Sequence, residues 1–453
     1  MDTRDAPYDC IVPSDQPISE TGGLRNSLTV GSSIAAWSIG AFAFYLVAGR
    51  ALGPDSYGLV AALQSMIIVL ALPLAGLQWS IARVVASNTG AGRADAQAVY
   101  RRALVRSMLI ALALVAAASA ITAIIGIVNP GVPVWPLILS YLTVLAMVPL
   151  LIGCGNLQGE HRYTGFAWSY ASSGVLRAPL LLLLLLLPFS DVDATMLASA
   201  AAVAVGAIWA VGLARSDLRV RTAPTSALWR DFLAALPAVA VGLVGIAALT
   251  NIDVVAAKIA IGGEQAGLFG AASVVAKSLL VVPQALIVVL LPRVAAREAR
   301  GARTGSLLAA GILAMAVAGA IAMVIAVPLA DPIITLAFGS QFSDASSLLV
   351  PFFGATTLLG ALLILVNHHV ARSDHRFVWA VGGLAVLQVV LLIFFATSSQ
   401  AIIAIDAIVG GVGLIVHEMI YFNTDESMLR GTGAQFAAIM RRMTRRESGR
   451  GAT

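Results

Sequence analysis

The 453-residue chain is poor in charge: Asp, Glu, Lys and Arg together make up 11% of it, against about 25% in ordinary soluble domains. With 59% apolar residues, it has too little polar surface to coat a globule in water, which excludes a soluble enzyme or binding domain. Lysine is nearly missing, with only Lys258 and Lys277 beside 26 arginines. That bias, with abundant alanine, is the mark of a GC-rich bacterial genome. The two cysteines, Cys10 and Cys154, are too few for a disulfide framework and lack metal-ligand spacing. The first two dozen residues are polar, acidic and rich in helix breakers. They lack the apolar core of a signal peptide and read as a disordered tail.

Catalytic signatures are missing too. His417-Glu418 has no second histidine four residues on, so it is not a zinc-protease motif. His368-His369 has no cysteine or carboxylate at metal spacing. Gly410-Gly411-Val412-Gly413 lies inside an apolar run rather than after a strand, so it is no nucleotide loop. Nothing resembles an ATP-binding motif. No metal, cofactor or enzymatic activity is expected.

What the chain does have is apolar length. About twelve runs of 18 or more residues recur, the first centred near residue 38 and the last near 409, each able to cross a hydrocarbon core of roughly 30 Å as a helix. The arginines sort the connections between them. Arg83, Arg93, Arg101 and Arg102 follow the second run, and Arg215, Arg219, Arg221 and Arg230 follow the sixth. Arg293, Arg297, Arg300 and Arg303 follow the eighth, and Arg441, Arg442, Arg445 and Arg446 lie in the tail. The alternate connections, near Asn129, Asp191, Asp331 and Thr397, are free of arginine. The positive-inside rule then places both termini in the cytoplasm. The arginines need no nucleic-acid partner; they are topology signals first and lipid-headgroup contacts second.

The chain also repeats itself. Gly53-Pro54-Asp55-Ser56-Tyr57-Gly58-Leu59 returns as Gly262-Gly263-Glu264-Gln265-Ala266-Gly267-Leu268. Each copy is followed by a proline, Pro73 or Pro283, and then by Arg83-Val84 or Arg293-Val294. Glycines permit a tight reversal, and a proline removes a helix hydrogen bond and bends the helix at matched places. The expected organisation is a tail over 1–24, a six-helix lobe over 25–214 and a linker over 215–230. A second six-helix lobe over 231–422 and a basic tail over 423–453 complete it. With six spans per half the repeats are parallel, related by a pseudo-two-fold axis along the membrane normal.

The run Leu46-Val47-Ala48-Gly49-Arg50-Ala51-Leu52-Gly53-Pro54-Asp55-Ser56-Tyr57-Gly58-Leu59 resembles the start of bacterial polysaccharide flippases. There a basic residue, Leu-Gly, an acidic residue and Tyr-Gly follow one another. Asn251-Ile252-Asp253, then Gly262 and Ala266-Gly267-Leu268-Phe269, resembles the matching element of the second half. Phe269 stands where many relatives have tyrosine. These proteins belong to the multidrug/oligosaccharidyl-lipid/polysaccharide (MOP) exporter superfamily. The resemblance covers nearly the whole chain after residue 24. It implies an all-α membrane protein of twelve helices in two lobes. It also implies a substrate, a polyprenyl-pyrophosphate-linked oligosaccharide moved from the inner to the outer leaflet of the bacterial cytoplasmic membrane. A glycan polymerase and glycosyltransferases would be its pathway partners.

A diphosphate and its sugars cannot cross hydrocarbon unaided, so a flippase needs a wet cavity with cations. A charge at bilayer depth costs about 2.5–3.5 kcal/mol or more. Arg177, about twelve residues into the fifth run, is expected roughly 18 Å deep, and Lys277 at similar depth in the eighth. One lies in each half, and Lys277 has no charged counterpart in the repeat, where Ile68 aligns. Both are candidate ligands for a diphosphate, the arginine bidentately. Otherwise each pairs with a nearby carbonyl or hydroxyl, with Ser172 and Ser173 close to Arg177 and Ser278 next to Lys277, or snorkels. Asp253, with Asn251 and Lys258, is the candidate for coupling to a proton or cation, or for a structural pair with Lys258 or another helix. Arg50 steers product or anchors its helix. Arg25 is a first contact for substrate or an ordinary inside-positive flank. Trp37 stacks on a sugar or packs in the core, and the run Leu180 to Leu187 faces lipid.

Three other functions fit the class in part. An ion-coupled multidrug exporter of the same superfamily usually has acidic sites, whereas cations prevail here. A polytopic glycosyltransferase or polymerase needs carboxylates on sizeable outer loops. A non-transporting scaffold gives no reason for midplane arginine and lysine.

Overall fold

The computed structural model describes residues 20–88, 92–215, 217–219, 223–286, 305–371, 374, 376–422, 424 and 427. The terminal segments expected to be tails lie mainly outside this range, as do Arg221, the four arginines from Arg293 to Arg303 and the four from Arg441 to Arg446. Residues 20–24, expected in the first tail, are instead the opening turn of a helix.

The described chain folds as helices α1 (Glu20–Ala71), α2 (Ala75–Ser87), α3 (Arg93–Val128), α4 (Val134–Gly159), α5 (Tyr163–Val175), α6 (Arg177–Leu184) and α7 (Asp191–Leu213). They are followed by α8 (Ser226–Ala260), α9 (Gly263–Lys277), α10 (Gly305–Phe338), α11 (Leu349–Ala371), α12 (Arg376–Phe395) and α13 (Ser399–Tyr421). Ten helical stretches among the described residues are long and apolar enough to cross a membrane. Two further crossings arise from helix geometry. The stretch from Leu28 to Ser87, counted as one of the ten, turns at Gly53 (φ 71, ψ 170), a left-handed conformation open to glycine. Val30 before that turn packs in the same apolar cluster as Ile81 and Val84 after it. The two arms are therefore antiparallel. The twelfth crossing is α5 with α6, interrupted at Leu176.

The breaks follow from proline. Pro179 has no N–H to give the Val175 carbonyl, so the helix loosens one turn earlier, just before Arg177. Pro73 sits in a 3-10 turn, Leu72–Leu74, between α1 and α2. In the second half a 3-10 turn, Ser278–Leu280, follows Lys277 and precedes Pro283. A 3-10 turn thus accompanies each proline, at Pro73 itself and about a turn before Pro283. Helix starts are capped conventionally: Ser190 accepts from the Asp193 amide at 3.1 Å, and Ser398 from that of Ala401 at 3.2 Å.

Apolar residues face outward as well as inward. Along α3, Val105, Leu109, Ile110, Leu112 and Leu114 are exposed, as are Leu182, Leu183, Leu186 and Leu187 of the leucine run. Such a surface is stable only against lipid tails, and this is a multi-pass membrane protein.

The two halves meet through the repeats themselves. Gly58 lies against Gly267, and Gly270 against Ala61 and Tyr57. The edge of the Tyr57 ring meets Phe338 and Phe342, each at 5.5 Å between centroids. A cluster of buried side chains runs on from Phe44, Ala48, Tyr57 and Leu181 of the first half to Phe269, Phe338 and Leu365 of the second. A second cluster fills the first half at the opposite end, around Ile81, Tyr100, Ile152 and Phe166. Leu228, Trp229, Phe232 and Leu236, the first three turns of α8, pack into that cluster. The rest of α8 packs on α12, with Gly242 and Gly245 against Val378 and Val381. One helix thus belongs to both halves, and residues expected in the linker or at the start of the second lobe dock on the first.

Candidate functional site

Arg177 follows the break at Leu176 and is 4% exposed. Its Nε donates to the Ser173 carbonyl at 3.1 Å, one turn back. The guanidinium lies over the Trp37 ring at 5.7 Å, with Tyr45 and Tyr170 close enough to feel its charge. Trp37 in turn tilts against Tyr170 at 5.8 Å. The two terminal amino groups have no hydrogen-bond partner among the described residues and retain accessible surface. The arrangement is a cation set over one indole and held by one nitrogen, with the bidentate fork left over for an anion. Ser173 serves through its carbonyl; its hydroxyl bonds the Tyr170 carbonyl at 2.8 Å.

Lys277 has a different setting. Its ammonium reaches both oxygens of Asp253, at 2.7 and 2.8 Å, and lies 5.7 Å from the Phe352 ring. Asp253 is 0% exposed and the Lys277 side chain 14%. Of the two expected structural partners, Lys258 or another helix, the structure shows the second: Asp253 pairs with Lys277 on α9. Asp253 stands five residues N-terminal to Lys258 on one helix, a spacing that points the two side chains apart, whereas α8 and α9 face each other across their turn.

A second carboxyl completes this cluster. Asp406 on α13 is fully buried and lies beside Asp253. It accepts from Gln388 Nε2 at 2.8 Å, and that amide nitrogen also reaches the Leu249 carbonyl at 3.2 Å. Asp406 Oδ2, Gln388 Oε1 and Thr356 Oγ1 are buried without a partner among the described residues. Asp253 lies seven residues before the end of α8, Gln388 seven before the end of α12 and Asp406 seven after the start of α13. At 1.5 Å per residue all three sit roughly 10 Å from the same membrane face. Two carboxyls share one ammonium, so full ionisation leaves a net negative charge in a low-dielectric interior. A proton or a bound cation restores neutrality.

Sequence reasoning omitted Asp406. The criterion that selected Arg177, an ionisable residue within an apolar run, selects it equally from Ile402 to Val409. Its alignment in depth with Asp253 and Gln388 was the further signal.

The remaining candidates lie elsewhere. Asn251 bonds its own helix, donating to the Ala247 carbonyl at 3.1 Å and to Thr250 Oγ1 at 2.8 Å. Lys258 approaches Asp55 of the first half, at 3.8 Å to Oδ1 and 3.4 Å to the carbonyl. Arg50 donates from Nε to the Ala337 carbonyl at 3.2 Å and from a terminal nitrogen to the Leu336 carbonyl. It thereby caps the C-terminal end of α10, where the helix dipole favours a cation. Both side chains bind one half to the other at the Gly53 end. Arg25 lies in the first turns of α1, and its side chain is outside the described residues. Arg177 and Lys277 share no contact: every partner of the first comes from the first half and every partner of the second from the second half.

This architecture is the fold of the MOP-superfamily transporters, two helical lobes built on one repeated design. A structure described as lipid II flippase MurJ in an inward closed conformation superimposes with a TM-score of 0.68 at 12% identity, covering 89% of this chain and 90% of that one. An inward-facing multidrug resistance MATE family transporter gives 0.66 at 16% identity, covering 87% and 97%. An outward-facing MATE transporter gives 0.57 at 15% identity, covering 92% and 97%. No family model and no curated protein matches the sequence.

Proposed function

We propose that the protein is a flippase that carries a polyprenyl-pyrophosphate-linked oligosaccharide across the bacterial cytoplasmic membrane for cell-surface polysaccharide synthesis. The observation that carries this reading is Arg177. A buried guanidinium with a free fork suits a diphosphate, and the rings of Trp37, Tyr45 and Tyr170 around it suit the sugar faces that follow. The arginine-bearing connections face the cytoplasm in this reading. The Gly53 end, closed by Arg50, Lys258 and the paired glycines, faces out. The higher similarity to inward-facing than to outward-facing MATE structures agrees with closure at that end. The lobes rock about a central site, opening one end as the other closes. Asp253 and Asp406 couple that motion to entry of the proton or cation that balances their charge.

Replacing Arg177 by glutamine should abolish export of surface glycan in a strain dependent on this gene while leaving the protein's level in the membrane intact. Export at the parental rate would sink the diphosphate site. In the same assay, Asp406→Asn removes the surplus negative charge. Transport should then lose its dependence on pH or sodium, and an unchanged profile in both would remove Asp406 from coupling.

A second reading is favoured by the buried acidic pair and the MATE-like fold: an ion-coupled multidrug exporter. Cells lacking the protein would then become sensitive to cationic drugs while keeping their surface glycan, the reverse of the flippase outcome. Pathway enzymes, a glycan polymerase and glycosyltransferases, are its partners under the first reading only.

A further inference from the structure

We infer that Arg102, Arg106 and Trp229 form a binding site for the phosphodiester headgroup of an anionic phospholipid, at the membrane boundary of the arginine-bearing end. Arg102 and Arg106 stand one turn apart on α3 and share a face. Both guanidinium groups lie over the same indole, Arg102 at 4.5 Å and Arg106 at 5.4 Å from the Trp229 centroid. Trp229 comes from the start of α8 and is itself packed on Phe232, at 5.3 Å between centroids. The ring therefore fixes the orientation of two cations that would otherwise be free to swing.

Neither arginine forms a salt bridge or hydrogen bond among the described residues. Two carboxylates at this end are committed elsewhere. Asp95 accepts from the Thr225 amide and hydroxyl, both at 2.7 Å. Asp217 accepts from Gln97 at 3.1 Å and from Asn156 at 2.8 Å. Other arginines at this end do find acids: Arg93 grips Glu160 with two bonds, of 3.1 and 2.6 Å. An arginine pair left with all its N–H donors, while its neighbours are paired, is charge held for something outside the chain.

The depth of the pair identifies that partner. Towards the near end of α3, Ala96, Val99, Tyr100 and Ala103 are buried in protein. From Val105 onward, Leu109, Ile110 and Leu112 are exposed and must face lipid tails. Arg102 and Arg106 straddle this change, which is the level of lipid phosphates. Tryptophan is enriched at that level for the same reason, a ring in the tails and an N–H in the headgroups. Two forks on one tryptophan suit the four acceptor oxygens of a phosphodiester. Because Trp229 belongs to the helix shared by both halves, a lipid there also fastens the start of α8 to the first half. The site lies outside the interlobe region and is independent of the transported substrate.

The test uses the full-length protein in neutral detergent, titrated with phosphatidylglycerol, phosphatidylcholine or inorganic phosphate and read by native mass spectrometry. Phosphatidylglycerol should bind in preference to phosphatidylcholine. Arg102→Gln and Arg106→Gln should each weaken it about fivefold, the effect of one arginine near an anionic headgroup. Arg83→Gln, which changes an exposed arginine on α2 at the same end, should leave binding unaltered. Equal affinity for both lipids in the parent protein, or equal weakening in all three variants, would overturn the site. Displacement of the lipid by millimolar inorganic phosphate would show a site for free phosphate and overturn the lipid assignment. These variants keep the indole and its packing. Loss of folding in either arginine variant, seen as loss of the cooperative melt, would make its role structural and also overturn the proposal.

Discussion

Lys277→Met should be among the most damaging single substitutions in this protein, and Asp253→Asn added to it should restore much of what is lost. Asp253 is wholly buried and both its oxygens bond the Lys277 ammonium. Removing one partner of a buried ion pair strands the other charge, at a cost of about 3–5 kcal/mol. In the double variant no charge is stranded between these two residues, and apolar or amide replacements of similar volume are often close to neutral. Thermal melting of purified parent, single and double variants gives the coupling energy directly. Equal destabilisation of the single and double variants would show that the pair is not coupled as the geometry requires. The same set separates two roles for the lysine. If Lys277 serves only to balance Asp253, the double variant should still bind the diphosphate-linked substrate, whatever its coupling. If it also binds the diphosphate, the double variant should be stable and unable to bind it.

Gly267→Ala should come next in effect. A Cβ there would stand 1.8 Å from the Pro54 carbonyl oxygen, which is backbone and cannot swing aside. Overpacking of this kind costs about 1–3 kcal/mol or more, and here it acts at the seam between the halves. The seam can relieve the clash only by parting, so the variant should both melt earlier and open the Gly53 end. A cysteine introduced at Ala61, buried beside Gly270 in the parent, should then become reactive to a membrane-impermeant thiol reagent. Gly411→Ala is the control: nothing lies within 4 Å of its Cβ position. It should be neutral or stabilising by up to about 1 kcal/mol. Melting and labelling unchanged from the parent in Gly267→Ala would contradict the close approach of the two repeats.

The repeated glycine motifs show how much can be read from composition and spacing. Their duplication, the prolines after them and the arginine rhythm gave the all-α class, the two-half organisation and the number of crossings. The turn at Gly53 and the paired 3-10 turns near Pro73 and Pro283 agree with that reading. The break before Arg177 is legible in Pro179.

Partnerships were another matter. Arg50 reads as a lone cation near a membrane face, and only the packing of α10 against α1 makes it a helix cap joining the halves. Arg177 and Lys277 look alike in sequence, each a cation in an apolar run. Tertiary structure gives one an indole face and a free fork and gives the other a carboxylate.

Hydrophobic length and arginine distribution are set residue by residue along the chain, because each helix must satisfy its own backbone hydrogen bonds in lipid. The sequence by itself therefore determined which segments cross and how the halves repeat. What neutralises each buried charge depends on residues of other helices, brought together by helix packing. That was decided only by the tertiary structure, in which Asp253 meets Lys277 and Asp406, Lys258 meets Asp55, and Gly58 meets Gly267.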